Sequence, residues 1–203
     1  MRGFLRGEDG LVPTLMQRVH GSPDLFDAPL NSVNFLTAHD GFTLYDLVAY
    51  DRKHNDANGW NGWNGTDGTD HNRSWNSGWE GDVEVPAEVM ATRLQQMRNA
   101  MTLLLPSHDT PMFVLGDEFG CSQGGNNNPS NQDNETSWVD WERRNEFADH
   151  EDLVRRPILL RAEHPALWQV EPWGATSSGL APSGHQTWRR IRVRWRGTST
   201  VST

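Results

Sequence analysis

The chain has 203 residues, enough to bury the core of one domain, and its formal net charge is -9. An acidic chain argues against nucleic acid as a partner because binding to phosphates needs a basic surface, whereas a neutral polymer is not excluded. The single cysteine, Cys121, excludes an internal disulfide and a zinc site built on cysteines. The first residues lack the apolar core of a signal peptide and no stretch approaches membrane-spanning length, so we expect a cytoplasmic protein with no membrane partner.

The first part of the chain predicts a strand between two short helices. Residues 11–19 can form a helix with Pro13 near its beginning. Residues 32–40 predict a buried strand of a parallel sheet, and residues 42–50 suggest a short helix. The strand prediction depends on Val33, Phe35, Leu36 and Thr37.

The later part predicts a helix, a strand and a last helix. Residues 86–105 have apolar side chains at helical spacing, which predicts ordinary core packing for Met90, Leu94, Met97, Met101 and Leu105. Residues 112–115 predict the second strand, and residues 149–164 a helix with an apolar face. We expect a kink or a local break at Pro157, because an interior proline costs roughly 3 kcal/mol. The alternation of strands and helices predicts a parallel α/β sheet or barrel.

The first predicted strand delivers His39 and Asp40 at its carboxyl end, directly before Gly41. In barrels of parallel strands, catalytic groups sit where the strands end, so Asp40 is the leading candidate for a catalytic residue. The alternative is that Asp40 merely caps the helix suggested over residues 42–50, since aspartate is a favoured N-cap.

A long loop over residues 51–82 combines asparagine, glycine and four tryptophans: Trp60, Trp63, Trp75 and Trp79. Sugars stack their apolar faces on flat aromatic rings while their hydroxyls pair with amides and carboxylates, so this composition predicts a glucan-binding cleft. The alternative for each ring is that it pins the loop to the rest of the domain. The run 67–70 lacks the spacing of a calcium loop, and we predict no metal and no cofactor.

Several motifs in order carry a family resemblance. The strand ending in His39 and Asp40, the run 112–120 with Asp117 and Glu118, and the segment 132–138 resemble the last part of the catalytic barrel of bacterial glycogen debranching enzymes and isoamylases. These are glycoside hydrolases of the α-amylase superfamily. The resemblance implies a partial TIM (β/α)8 barrel of the α/β class, with only the last strands and helices and with long loops. A complete barrel usually needs about 250 residues.

The resemblance also implies residue roles. Retaining glycosidases use one carboxylate as nucleophile and another as general acid, and this superfamily adds a third acidic residue after the seventh strand. Asp40 matches that third residue, a transition-state stabiliser, and His39 matches the histidine that donates to the same sugar. Asp117 and Glu118 match a motif after the eighth strand, for which a structural or cleft-lining role is implied. The nucleophile and the acid belong to strands that would precede Met1.

The function implied is hydrolysis of α-1,6 branch linkages in glycogen-like α-glucans, although the same residues would serve α-1,4 cleavage. The isolated chain is predicted to be inactive, because the nucleophile and the general acid are missing. One alternative is a non-catalytic glucan-binding or remnant protein. Another is a chain that complements a separately encoded N-terminal part of the barrel.

Residues 1–167 are thus predicted to form the C-terminal portion of a catalytic barrel, and residues 168–203 a divergent, disordered tail. The tail carries five arginines and no acidic residue between 186 and 196. Such a mixture is what a shifted reading frame in a GC-rich gene would yield. The competing interpretation is a short basic strand pair or an arm for nucleic acid.

Overall fold

The computed structural model describes residues 1–168, without the side chains of residues 60–64. Its helices and strands, in chain order, are α1 (Arg2–Leu5), α2 (Val12–Val19), β1 (Val33–Phe35), α3 (Asp46–Ala49), α4 (Ala87–Leu104), β2 (Thr110–Met112), α5 (Arg143–Glu146) and α6 (Ala148–Glu163). Short 3-10 turns cover Pro29–Asn31, Asp56–Gly65, Asp117–Phe119, Pro129–Asn131 and Pro165–Leu167. The predicted tail, apart from Trp168, lies outside the described residues.

The two strands pair in parallel, with Val33 opposite Thr110 and Phe35 opposite Met112. The parallel arrangement is confirmed, and α3 and α4 form the connection between the strands. Residues 1–168 therefore contain one strand–helix–strand unit rather than a closed barrel. Both strands are shorter than predicted, and β2 begins two residues before the predicted position at 112.

The prediction that the first strand is buried is wrong for two of its side chains. Val33 is 49% exposed and Phe35 is 50% exposed, whereas Asn34 between them is buried. Met112 on β2 is 40% exposed as well. Within the described part of the chain, this face of the sheet is left open, which explains why apolar strand residues meet solvent.

The core forms where α4 packs against α3 and α6. The predicted helix over residues 86–105 is confirmed, and Met97 and Met101 are buried as expected of core methionines. Met90 and Leu94 pack against the same core and are partly buried. The predicted first helix is confirmed too, with its proline in the first turn, where a missing N–H costs no hydrogen bond.

The sequence predicts a kink or a local break at Pro157. The last helix runs without a break from Ala148 to Glu163, so the predicted break is wrong. Packing on the amino-terminal side of the proline holds the helix, since His150 and Val154 are both buried there. The predicted apolar face is only partly used, because Ile158 and Leu159 are 43% and 55% exposed. No helix within residues 1–168 is long and apolar enough to span a membrane.

Candidate active site

His39 and Asp40 both lie exposed beyond the carboxyl end of β1. The capping alternative for Asp40 is wrong, because α3 begins only at Asp46 and its N-cap is Tyr45. The chain between Gly41 and Tyr45 is not helical and is fully buried from residue 42 onward. Asp40 is therefore an exposed carboxylate at a strand end, with no role in starting a helix.

Arg2 links the strand end that carries Asp40 to the long loop. Its Nε donates a hydrogen bond to the carbonyl of Leu36 at 2.6 Å, and one terminal nitrogen donates to the carbonyl of Asn72 at 3.0 Å. Burial lowers the pKa of Arg2, while the carboxylates of Asp117 and Asp40 act in the opposite direction. One guanidinium thus interacts electrostatically with both carboxylates. Asp117 accepts a hydrogen bond from Thr37, three residues before Asp40, and the two strands are parallel, so both carboxylates lie at the same end of the strands, as predicted.

Asp117 is enclosed rather than exposed in a cleft. It is 1% exposed and accepts hydrogen bonds from the Thr37 hydroxyl and from the backbone N–H groups of Leu44 (2.7 Å) and Val114 (3.1 Å). Burial raises its pKa to about 6 against the effect of these hydrogen bonds. Its neighbour Glu118 is half-buried and accepts a hydrogen bond from a backbone N–H two residues earlier. Of the two implied roles, structural or cleft-lining, the geometry of Asp117 fits the structural one.

The asparagines of the long loop bind to the protein itself. Asn55, Asn58 and Asn72 are all less than 5% exposed. Asn58 and Asn126 exchange side-chain hydrogen bonds at 2.7 and 3.3 Å, while Asn127 bonds both Asn55 and Asn72 at 2.9 Å. The expectation that these loop amides meet sugar hydroxyls is therefore wrong for the three buried ones. They fasten the loop to the segment that follows β2.

The tryptophans of the loop fall into two groups. Trp75 and Trp79 are 37% and 38% exposed, and the Trp79 indole N–H donates to the carbonyl of Val83 at 3.0 Å. Each tryptophan is thus partly packed and partly exposed to solvent. This fits both alternatives, pinning the loop to the domain and binding a glucan. Trp60 and Trp63 lie among the residues whose side chains are not described.

Asp46 and Arg93 are two of the buried ionisable residues that the sequence did not reveal. Asp46 is 0% exposed and accepts hydrogen bonds from the Ser122 hydroxyl (2.6 Å) and the Gln123 N–H (2.9 Å), and burial raises its pKa to about 6. Arg93, on α4, is also 0% exposed and donates to the carbonyls of Gly81 and Trp79. An acidic residue inside an apolar run, and an arginine on the buried face of a helix, were the available signals.

A polar groove of about 610 Å³ lies beside the point where Arg2 meets Asn72. Its lining includes Arg73, Asp51 and Asp70. Such a mixture of carboxylates, amides and cations suits the hydroxyls of a neutral sugar. Within residues 1–168, no group of three or more histidine, cysteine, aspartate or glutamate side chains is arranged to hold a metal ion.

No protein-family model matches the chain. Individual relatives do. The chain is 41% identical over 208 residues to a glycogen operon protein GlgX homolog of Mycobacterium bovis, a match covering 94% of this chain and 28% of that protein. It is 41% identical to the chloroplastic isoamylase 1 of Oryza sativa, covering 92% and 23%, and 43% identical to the glycogen debranching enzyme of Pectobacterium carotovorum, covering 88% and 27%.

The fold matches a solved pullulanase from Bacillus acidopullulyticus with a TM-score of 0.59 and 26% identity, over 83% of this chain and 17% of that one. The chain thus spans about a quarter of the length of the relatives named above. The resemblance carried by the motifs is confirmed: the chain is homologous to part of the glycogen debranching enzymes and isoamylases, glycoside hydrolases of the α-amylase superfamily.

Proposed function

We propose that this chain supplies the last part of the catalytic barrel of a debranching-type glycoside hydrolase that cleaves α-1,6 linkages in glycogen-like α-glucans. The observation that carries the proposal is the exposed pair His39 and Asp40 beyond the carboxyl end of β1. Active sites of parallel barrels lie at that end of the strands. The names of the relatives, which include a glycogen debranching enzyme and isoamylases, support the choice of substrate.

Asp40 would act on the positive charge of the reaction. Glycoside cleavage passes through a transition state resembling an oxocarbenium ion, and an ionised carboxylate close to the sugar ring stabilises that charge. His39 would donate a hydrogen bond to a hydroxyl of the same sugar. Asp117 is enclosed by three donors and would act indirectly, by joining Thr37 of the first strand end to Val114 of the second. The glucan would continue into the polar groove beside Arg2.

The nucleophile and the general acid of this proposal come from outside residues 1–168. Residues 1–167 would therefore act as the C-terminal portion of the barrel, and the other strands would come from sequence that corresponds to the rest of the relatives' barrel. Residues 168–203 play no part in the proposed chemistry.

The test is release of reducing sugar from amylopectin and pullulan. The purified chain alone is expected to release none, whereas a mixture with a separately expressed N-terminal barrel part from the mycobacterial relative is expected to become active. That activity should vanish with Asp40→Asn and persist with Asp149→Asn, a matched change at an exposed position of α6.

Three outcomes would count against the proposal. Turnover by the chain alone would show that its own carboxylates suffice, with Glu118 as the first candidate. Activity of the mixture that is indifferent to Asp40→Asn would remove Asp40 from the mechanism. Glucan binding without turnover in every mixture would favour a non-catalytic glucan-binding protein instead. Comparing pullulan with linear amylose decides between α-1,6 and α-1,4 preference.

A further inference from the structure

Two tryptophans outside the proposed site are the most exposed indole rings of the described residues. Trp138 is 59% exposed and Trp141 is 60% exposed, against 37% for Trp75 and 38% for Trp79 in the long loop. Both follow β2 on the segment that fastens the long loop. Single exposed apolar side chains are ordinary, but Trp138 and Trp141 are only three residues apart, and neighbouring exposed aromatic rings form a candidate binding surface.

The Trp138 ring is held in place by its own segment. Its indole N–H donates to an Asp133 carboxylate oxygen at 3.1 Å, and its backbone N–H donates to the carbonyl of Asn134 at 3.0 Å. The Gln132 side chain then ties this segment to the long loop, by donating to Asn58 Oδ1 at 2.9 Å and to the carbonyl of Ala57 at 3.0 Å. The ring is thus exposed but already held in one orientation, so little side-chain entropy would be lost when a ligand binds to it.

Trp141 is supported from below. Its ring stacks on Phe119 with the ring centroids 5.5 Å apart and the planes inclined by 30°. Phe119 is only 2% exposed, so one face of the indole rests on the core while the rest of the ring meets solvent. A flat apolar surface with one supported face is the geometry on which a sugar ring stacks.

The charges around the two rings select the class of ligand. Asp133, Glu135, Asp140 and Glu142 are all exposed on the same segment. The neighbouring cations are paired, Arg143 with Asp82 at 2.7 Å and Arg144 with Glu151 at 2.7 Å. An acidic surface repels polyanions such as nucleic acid, while free carboxylate oxygens accept hydrogen bonds from hydroxyl groups. A neutral polyhydroxylated chain fits both the flat rings and the charge.

We propose that Trp138 and Trp141, with Asp133 positioning the first ring, form a second α-glucan contact surface, here called the indole platform, separate from His39 and Asp40. The proposal rests on the proposed function for its substrate class. The platform follows β2 and is bonded to the loop that follows β1, so it lies at the same end of the parallel strands as Asp40. A glucan held at Asp40 could therefore have a second branch or a distant segment on the platform.

The test uses the full chain and maltoheptaose, with binding measured by isothermal titration calorimetry and, for glycogen, by retardation in native gels. Trp138→Ala and Trp141→Ala are each expected to weaken binding by about tenfold, as expected for loss of one stacked ring. Trp138→Phe and Trp141→Phe should restore most of the affinity, because a flat ring remains. Asp133→Ala should weaken binding less than Trp138→Ala, since it frees the ring without removing it.

Trp168→Ala is the matched control, because Trp168 is a 40% exposed tryptophan on a different segment. Equal binding by the wild type and the Trp138→Ala, Trp141→Ala double variant overturns the platform, and so does the absence of glucan binding by the wild type. Self-association of the wild type that the double variant abolishes would assign the rings to a second copy and also overturn it.

The proposed function is judged separately, by the Asp40→Asn variant in the turnover assay. If turnover requires Asp40 but the double variant binds glucan as well as the wild type does, the platform alone is refuted. Glucan binding that requires Trp138, with no Asp40-dependent turnover in any mixture, leaves the platform standing and refutes the catalytic proposal.

Discussion

Replacing Arg93 by methionine is expected to loosen the long loop and to destabilise the whole domain. The Arg93 guanidinium donates hydrogen bonds to the Tyr45 hydroxyl at 2.9 Å, to the carbonyls of Gly81 (2.8 Å) and Asn76 (3.3 Å), and to the carbonyl of Trp79. Because Arg93 is 0% exposed, the Tyr45 hydroxyl, which is also buried, would lose this partner without gaining water, while the three carbonyls on partly exposed residues would be only partly compensated.

The size of the effect follows from these contacts. A hydrogen bond to a charged group contributes about 1.5–3 kcal/mol, but part of that sum offsets the cost of burying the guanidinium. Removing the guanidinium leaves neutral acceptors unpaired, at about 1–3 kcal/mol for each acceptor that stays buried, so we expect Arg93→Met to cost about 2–4 kcal/mol. This is a large share of a typical unfolding free energy of about 5–15 kcal/mol.

Urea unfolding followed by circular dichroism measures this loss, with Arg155→Met as the control because Arg155 makes only surface ion pairs on α6. Surface pairs contribute about 0–1 kcal/mol. Hydrogen exchange should show faster opening of residues 76–82 even if the variant is too unstable for a full titration. A loss of less than about 1 kcal/mol, equal to that of the control, would refute the role of Arg93 in holding the long loop.

Three further predictions follow from other buried or exposed groups. Burial raises the pKa of Asp109 to about 7, whereas its unfolded value is about 4. Ionising this group therefore lowers the folding stability as the pH rises from about 4 through 7. Thermal unfolding should show that Asp109→Asn stabilises the chain at pH 8 and has no effect at pH 3.5. Asn127→Ala removes the donor to Asn72 and to the carbonyl of Thr69 at 2.8 Å, and should cost about 2–3 kcal/mol in urea unfolding, unlike Asn134→Ala at an exposed position. The open face with Val33, Phe35 and Met112 should cause self-association in sedimentation velocity, and Phe35→Ser should shift the chain towards monomer; a wild type that stays monomeric at high concentration would exclude such association.

The helices were largely predictable because their signals are local. Spacing of apolar side chains placed α4 to within one residue at each end, and the proline-led pattern placed α2. The strands were not, because their ends are set by contacts distant in sequence, such as the bond from Thr37 to Asp117, 80 residues apart. Pro157 shows the same limit, since packing of His150 and Val154 overrides a local preference.

The candidate site was predictable in position but not in the use of its polar groups. The motif predicted that Asp40 and Asp117 lie at one end of the strands, and the hydrogen bond from Thr37 to Asp117 between the two parallel strand ends agrees with this. Composition could not tell amides that bind each other from amides that face a ligand, and Asn55, Asn58 and Asn72 proved to be of the first kind. The enclosure of Asp117 likewise depends on the buried backbone N–H of Leu44, which only folding brings to it.

The most direct test of the central claim is the turnover of a chimera in which residues 1–167 replace the homologous part of the mycobacterial relative. We expect Asp40→Asn to lower kcat on a branched glucan by about 10²–10³-fold, the usual cost of losing one group that stabilises transition-state charge, and Asp149→Asn to leave kcat unchanged. An active chimera that tolerates Asp40→Asn but loses its activity with Glu118→Gln would contradict the claim.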